Sequence, residues 1–178
     1  MDLRKILYQI LVTLFFSLFA FLTRYLNLIT PLGDIFVLDL RDFFVAIGAA
    51  IGGPVPGFII GFLAGVPAKI PAIDIAAFSI AGLTVGFFST YFYRKGIDVA
   101  YSAVFMLVGY AVALVMVNYY NLWQFSTGLF ARAMICIPIN VFILHYLLQT
   151  SPKILAVARF EEEEKGKQGA SSAKGRKE

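Results

Sequence analysis

Reactive and charged side chains are scarce in this chain. It holds one cysteine, Cys136, and one histidine, His145, so neither an intramolecular disulfide nor a Cys/His metal cluster is expected. His145 reads as an ordinary interfacial residue near a helix end. There is no G-x-x-x-x-G-K-[ST] phosphate loop and no H-E-x-x-H pair. The six aspartates of residues 1–160 include no close pair buried on one helix for acid–base work. Asp39 and Asp42 stand at the start of an apolar run, where a salt bridge to Arg41 or a helix cap is the simplest role. The chain is therefore expected to be no enzyme and to hold neither cofactor nor metal, and energy for any transport must come from partners.

Apolar surface is abundant instead. Hydrophobic residues make up 60% of the 178 positions and charged ones 15%, with a mean hydropathy of +0.80. A soluble domain would have nowhere to hide this surface. The apolar runs have helical length and lack the alternation of membrane strands, which favours a bundle over a barrel. The expectation is an all-α, polytopic protein of the lipid bilayer. Residues 1–150 would form a compact six-helix transmembrane bundle with short glycine-rich second and third helices. Residues 151–178 would be a charged tail. After Phe160 that tail, EEEEKGKQGASSAKGRKE, has no aromatic or branched aliphatic residue and reads as a disordered cytoplasmic extension.

Spans are expected near 6–26, 42–53, 55–66, 73–92, 97–117 and 128–148. The first lacks a small-residue cleavage site behind it and reads as a helix rather than a removed signal. The last 18 residues carry five Lys/Arg and five Glu, so the formal +4 resides in residues 1–160, with ten Lys/Arg and six Asp. Those cations lie at helix ends, which points to topology and not to nucleic-acid binding. Arg4, Lys5, Arg94, Lys95, Lys153 and Arg159 fall on one side against Arg24, Arg41 and Lys69 on the other. The bias places both termini in the cytoplasm of a multi-pass plasma-membrane protein.

The most distinctive stretch is Asp39 to Gly65, DLRDFFVAIGAAIGGPVPGFIIGFLAG. Its glycines are Gly48, Gly52, Gly53, Gly57, Gly61 and Gly65, and the last four recur every four residues. Such a ridge lets helix backbones touch. Pro54 and Pro56 are expected to break the helix between two short halves. Ahead of them Asp39, Arg41 and Asp42 crowd the mouth of the apolar run, where charges need partners, water or a ligand. Residues 27–40 are expected to fold back over the bundle as a lid or re-entrant cap. On the same outer side the topology places Lys69, Asp74, Asn118, Trp123, Gln124 and Arg132. Arg132 either snorkels outward or faces a polar pocket. Trp123 and its neighbours form either an interfacial aromatic belt or a stacking surface. Two turns beyond Arg132, Pro138 interrupts the last span beside Asn140, whose amide must bond a carbonyl or a ligand. In the first span Thr13, Ser17 and Ala20 supply small positions for helix docking or for ordinary packing.

An acidic residue and an arginine ahead of a small-residue helix, followed by GP-x-x-G-x-x-x-G over Gly53 to Gly61, resembles the substrate-binding S components of energy-coupling factor (ECF) vitamin transporters. The same stretch also looks like the five-helix membrane domain of LytS-type sensor kinases. ARAMICIPIN is similar to the last helix of riboflavin-type S components: Pro138 and Asn140 match, and Phe142 or Ile143 stands where those proteins carry a lysine, which does not support riboflavin itself. The resemblance implies a six-helix protein that captures a small water-soluble, vitamin-like compound at its outer face under the first loop. It implies delivery with a coupling subunit and two ATPases, a Thr13–Ser17–Ala20 stripe facing that subunit, and Asp39, Arg41, Asp42, Lys69, Asp74, Asn118, Trp123, Gln124, Arg132 and Asn140 as substrate contacts. The alternative is a transmembrane sensor module without its kinase.

Overall fold

The computed structural model describes residues 3–26, 29–32 and 36–151; the expected tail over 152–178 and the tip of the expected lid lie outside the described residues. Among the described residues there are six α-helices: α1 (Leu3–Tyr25), α2 (Leu40–Gly52), α3 (Pro54–Gly65), α4 (Pro71–Lys95), α5 (Met106–Tyr119) and α6 (Ser126–Thr150). Four apolar helical stretches, Ile6–Tyr25, Pro71–Lys95, Val99–Tyr119 and Trp123–Thr150, are long enough to cross a membrane, and Pro54–Gly65 is a shorter apolar helix. Large apolar side chains line the outside, among them Leu7, Leu11, Leu14 and Leu18 along one face of α1.

The stretch expected as a lid or re-entrant cap carries a short strand pair in this otherwise helical fold. The segment between α1 and α2 forms an antiparallel pair, β1 (Ile29–Leu32) and β2 (Phe36–Asp39), with Ile29 opposite Asp39 and Leu32 opposite Phe36. Its Ile, Thr, Phe and Val content suits a pleated strand better than a helix. β2 lies against α6. The end of the bundle that carries this pair is called the hairpin end below.

Local chemistry sets the boundaries of α2 and α3. Asp39 caps α2 by accepting the Arg41 backbone N–H at 3.0 Å. Gly53 ends it at φ +94°, a conformation that side chains resist, and Pro54 opens α3 at a position that needs no N–H. At about 1.5 Å per residue the two helices are roughly 20 and 18 Å long, short of a hydrocarbon core of about 30 Å. They form a helical hairpin whose free ends both lie at the hairpin end of the bundle.

α3 and α4 run antiparallel and almost without side chains between them. A methyl on Gly57 or Gly82 would strike the carbonyl of the other; one on Gly61 would strike Phe78, one on Gly65 Ile75, and one on Gly86 Gly53. Gly48 sits beneath Phe16 of α1, and Gly52 beside Pro56 and Val12. The Thr13–Ser17–Ala20 stripe is used inside the chain. Ser17 and Ala20 are buried, Ala20 among Val45, Ile60 and Ala64 of α2 and α3. The Thr13 hydroxyl donates to its own helix at Gln9 O. These small residues let α1 approach α2 and α3, so they are not open to a coupling subunit; the exposed face of α1 is its leucine face.

The expected span at 97–117 is not uniform. Val99–Phe105 is a 3₁₀ segment capped by Asp98, which accepts the Ala100 N–H at 2.9 Å, and α5 begins at Met106. Seven residues is long for a 3₁₀ run. α6 continues through Pro138.

Candidate functional site

Five charged side chains meet at the hairpin end. Asp39 comes from the end of β2, Arg41 and Asp42 from the first turn of α2, Asp74 from the first turn of α4 and Arg132 from the second turn of α6. Asp39, Arg41 and Asp42 are each 3% exposed or less. Charges so far from water persist only when paired and hydrogen-bonded.

Each arginine joins two acids. Arg132 grips Asp42 with two bonds, Nε to Oδ2 at 2.7 Å and Nη2 to Oδ1 at 2.8 Å, and its Nη2 lies 3.1 Å from Asp39 Oδ2. Arg41 donates from Nη2 to Asp39 Oδ2 at 2.6 Å, from Nη1 to Asp74 Oδ2 at 2.9 Å, and from Nη1 to the Ala64 carbonyl at 3.1 Å. That last bond fixes the end of α3 to the start of α2. The forked, planar guanidinium makes these several bonds at once. The Tyr110 hydroxyl donates to Asp42 Oδ2 at 2.7 Å, and both guanidinium carbons lie over the Phe78 ring, Arg41 at 4.7 Å and Arg132 at 5.4 Å. Burial raises the Asp39 carboxyl, but Arg132 and Arg41 outweigh it and bring its pKa down to about 2.

Two spaces flank Asp42. A narrow cleft of about 30 Å³ is bounded by Asp42, Asp74, Phe78, Tyr110, Leu129 and Arg132. A chamber of about 140 Å³ lies on the other side, against Asp39, Asp42, Phe43, Cys136 and Asn140. The cleft is large enough for water, which needs roughly 10–15 Å³ by this measure. Arg132, Cys136 and Asn140 fall four residues apart on one face of α6. The Asn140 amide donates to Met106 Sδ at 3.3 Å, the first residue of α5. Carboxylates, guanidiniums, a phenol and aromatic faces equip this region to bind a polar or charged small molecule.

The structure thus brings Asp39, Arg41, Asp42, Asp74 and Arg132 into one network, with Asn140 on the adjoining chamber. It leaves four expected residues out. Lys69 is exposed on the α3–α4 turn, and Asn118, Trp123 and Gln124 are exposed at the α5–α6 connection. Trp123 is 60% exposed and lines neither space, so the aromatic-belt alternative fits its placement better than stacking on a ligand. Arg132 does not snorkel; it faces the polar interior. Sequence reasoning passed over Tyr110 and Phe78. Both sit in apolar runs; Phe78 falls one turn after Asp74 on α4, and Tyr110 carries no local signal.

No protein family, curated protein or solved structure matches this chain.

Proposed function

We propose that the chain is the membrane-embedded substrate-binding component of an importer of the energy-coupling factor type. It captures a small water-soluble, vitamin-like compound at the hairpin end and works with a coupling subunit and two ATPases. The observation that carries this reading is the Asp42–Arg132 pair, held between two spaces at the end that bears the β1–β2 pair. In this proposal the protein is multi-pass in the plasma membrane, with both termini cytoplasmic and the hairpin end outward. The short α2–α3 hairpin enters and leaves on one side, so an even number of long helices keeps both termini on one side whether or not α2 and α3 cross fully, and the cytoplasmic assignment rests on the Lys/Arg bias.

At about 30 Å³ the cleft is sized for water and not for a vitamin; ligand pockets usually measure about 300–1,000 Å³. Loading in this reading therefore parts the elements around Asp42 and exchanges contacts within the network for contacts to the ligand. The test is to purify the full chain in mild detergent, denature it, and identify released small molecules by mass spectrometry. A stoichiometric water-soluble compound that raises the melting temperature on re-addition, and does so no longer with Arg132→Lys, is the expected result. Co-purification of ATPases supports import. A co-purifying histidine kinase with no released ligand would move the assignment to the sensor alternative.

A further inference from the structure

The network does not balance. Three carboxylates, those of Asp39, Asp42 and Asp74, face two guanidiniums, those of Arg41 and Arg132. Asp39 contacts both arginines, and Asp42 holds both Arg132 bonds and the Tyr110 hydroxyl. Among the described residues Asp74 has one partner, Arg41 Nη1 on Oδ2, and Arg41 already serves Asp39 and the Ala64 carbonyl. The surplus negative charge therefore belongs to Asp74, whose side chain is 29% exposed and borders the cleft. The other described cations at this end, Arg24 in the last turn of α1 and Lys69 on the α3–α4 turn, make no ion pair with it among the described residues. Water reaches the Asp74 side chain in part, and a ligand that closes over the cleft strips that water, so its charge must then be neutralised by the ligand.

The cleft walls suit a particular neutraliser. Phe78 and Tyr110 present aromatic rings, and Ala81, Ala113 and Leu129 complete an apolar surface next to that one carboxylate. An inorganic ion would gain little from such walls, whereas an organic ammonium or amidinium gains both the charge pair and ring contact. We propose that the ligand of this site is a small organic cation whose positive group pairs with Asp74 and whose apolar body lies along Phe78 and Tyr110. This rests on the binding-protein reading above and specifies its substrate class. An anion would meet the surplus carboxylate and is excluded by repulsion; a neutral isostere leaves the charge uncompensated.

The experiment uses the full chain in detergent and three probes of similar size and shape: tryptamine as the cation, tryptophol as the neutral form and indole-3-propionate as the anion. Melting temperature and the heat of binding in titration calorimetry are read against each, alongside the charge of any compound released on denaturation. The expected result is a saturable shift with tryptamine, at least tenfold weaker with the other two, and at least tenfold weaker tryptamine binding in Asp74→Asn. A released ligand that is neutral or anionic, or tryptamine binding unchanged in Asp74→Asn, overturns the cation assignment and leaves the binding-protein reading standing. The same shift from sodium or potassium chloride alone also overturns it. No released compound and no response to any probe removes the binding-protein reading, and the cation with it.

Discussion

The two ends of the bundle carry charge in opposite ways. At the hairpin end five charged side chains from β2, α2, α4 and α6 are joined by forked bonds, and Asp39, Arg41 and Asp42 among them are drawn out of water. At the other end Asp98 pairs with His145, which also contacts Gln149 Nε2 at 2.8 Å. That pair borders an open cleft of about 470 Å³ walled by Tyr101, Val104, Pro138 and Phe142, and His145 is 46% exposed there. Water screens the second pair and can replace either partner, whereas Asp39, Arg41 and Asp42 have almost no access to bulk water and rely on one another and on Arg132. Close contacts thus carry unequal consequences at the two ends, and burial decides which pair the fold depends on.

The largest expected effect follows from removing one charge at the buried end. Arg132→Ala leaves the buried Asp42 carboxylate without its guanidinium partner and should destabilise the protein by about 3–5 kcal/mol, read as a loss of melting temperature in detergent. Pairing it with Asp42→Leu, which removes the orphaned carboxylate, should recover most of that loss. A single variant that melts like the wild type would mean that water reaches Asp42, and the contrast between the two ends would fail.

The α3–α4 seam should come next. Gly61→Ala drives a methyl into the Phe78 backbone, which cannot yield as a flexible side chain would, so the helices must separate at a cost of about 1–3 kcal/mol. Because Phe78 also lies against both guanidiniums, separation here should loosen the network as well. Gly128→Ala on α6, where an added methyl meets nothing within 4 Å, is the control and should be neutral or slightly stabilising.

How much of this was legible depends on how local the cause is. The break at Gly53–Pro54 and the four-residue glycine spacing are short-range properties of the chain, and they recur in the structure as a left-handed turn and a backbone-to-backbone seam. Charged residues in apolar surroundings must find one another, which is why Asp39, Arg41, Asp42, Asp74 and Arg132 could be gathered before any coordinates. What sequence could not supply was the partner list. Tyr110 is 68 positions from Asp42, and nothing near it marks its hydroxyl as a donor to a carboxylate. Conversely Asn118, Trp123 and Gln124 share the outer side of the topology with the network but remain exposed, because topology gives the end of a helix and not the face. Ser17 and Ala20 show the same limit: a small-residue stripe announces a close approach without saying which helix approaches.

Acid should reach the buried end late. The Asp39 carboxyl is held at about 2, below its ordinary 3.8, so its pairing stabilises the fold fully above pH 4. That contribution, on the order of 2 kcal/mol, is lost as pH falls from about 4 through about 2. Melting temperatures measured across this range should fall less steeply in Asp39→Asn than in the wild type, since the amide has no proton to take up. Parallel curves would place the acid sensitivity in other carboxyls and detach Asp39 from the two arginines.

The smallest effect belongs to the open end, and its size is the control for the comparison. His145→Ala removes an exposed partner from Asp98, which keeps its cap on the Ala100 N–H. The cost should stay below about 1 kcal/mol and shrink further in high salt, because an exposed pair is screened where the buried network is not. Arg132→Ala measured beside it should lose stability by the same amount at low and high salt. If instead His145→Ala costs as much as Arg132→Ala, the Asp98–His145 contact would be fastening the start of the 3₁₀ segment to α6. The long 3₁₀ run between Asp98 and Met106 would then join the two ends mechanically, since Met106 touches Asn140 beside the buried network. Salt dependence separates the two cases, because a screened surface pair weakens with ionic strength and a packed junction does not.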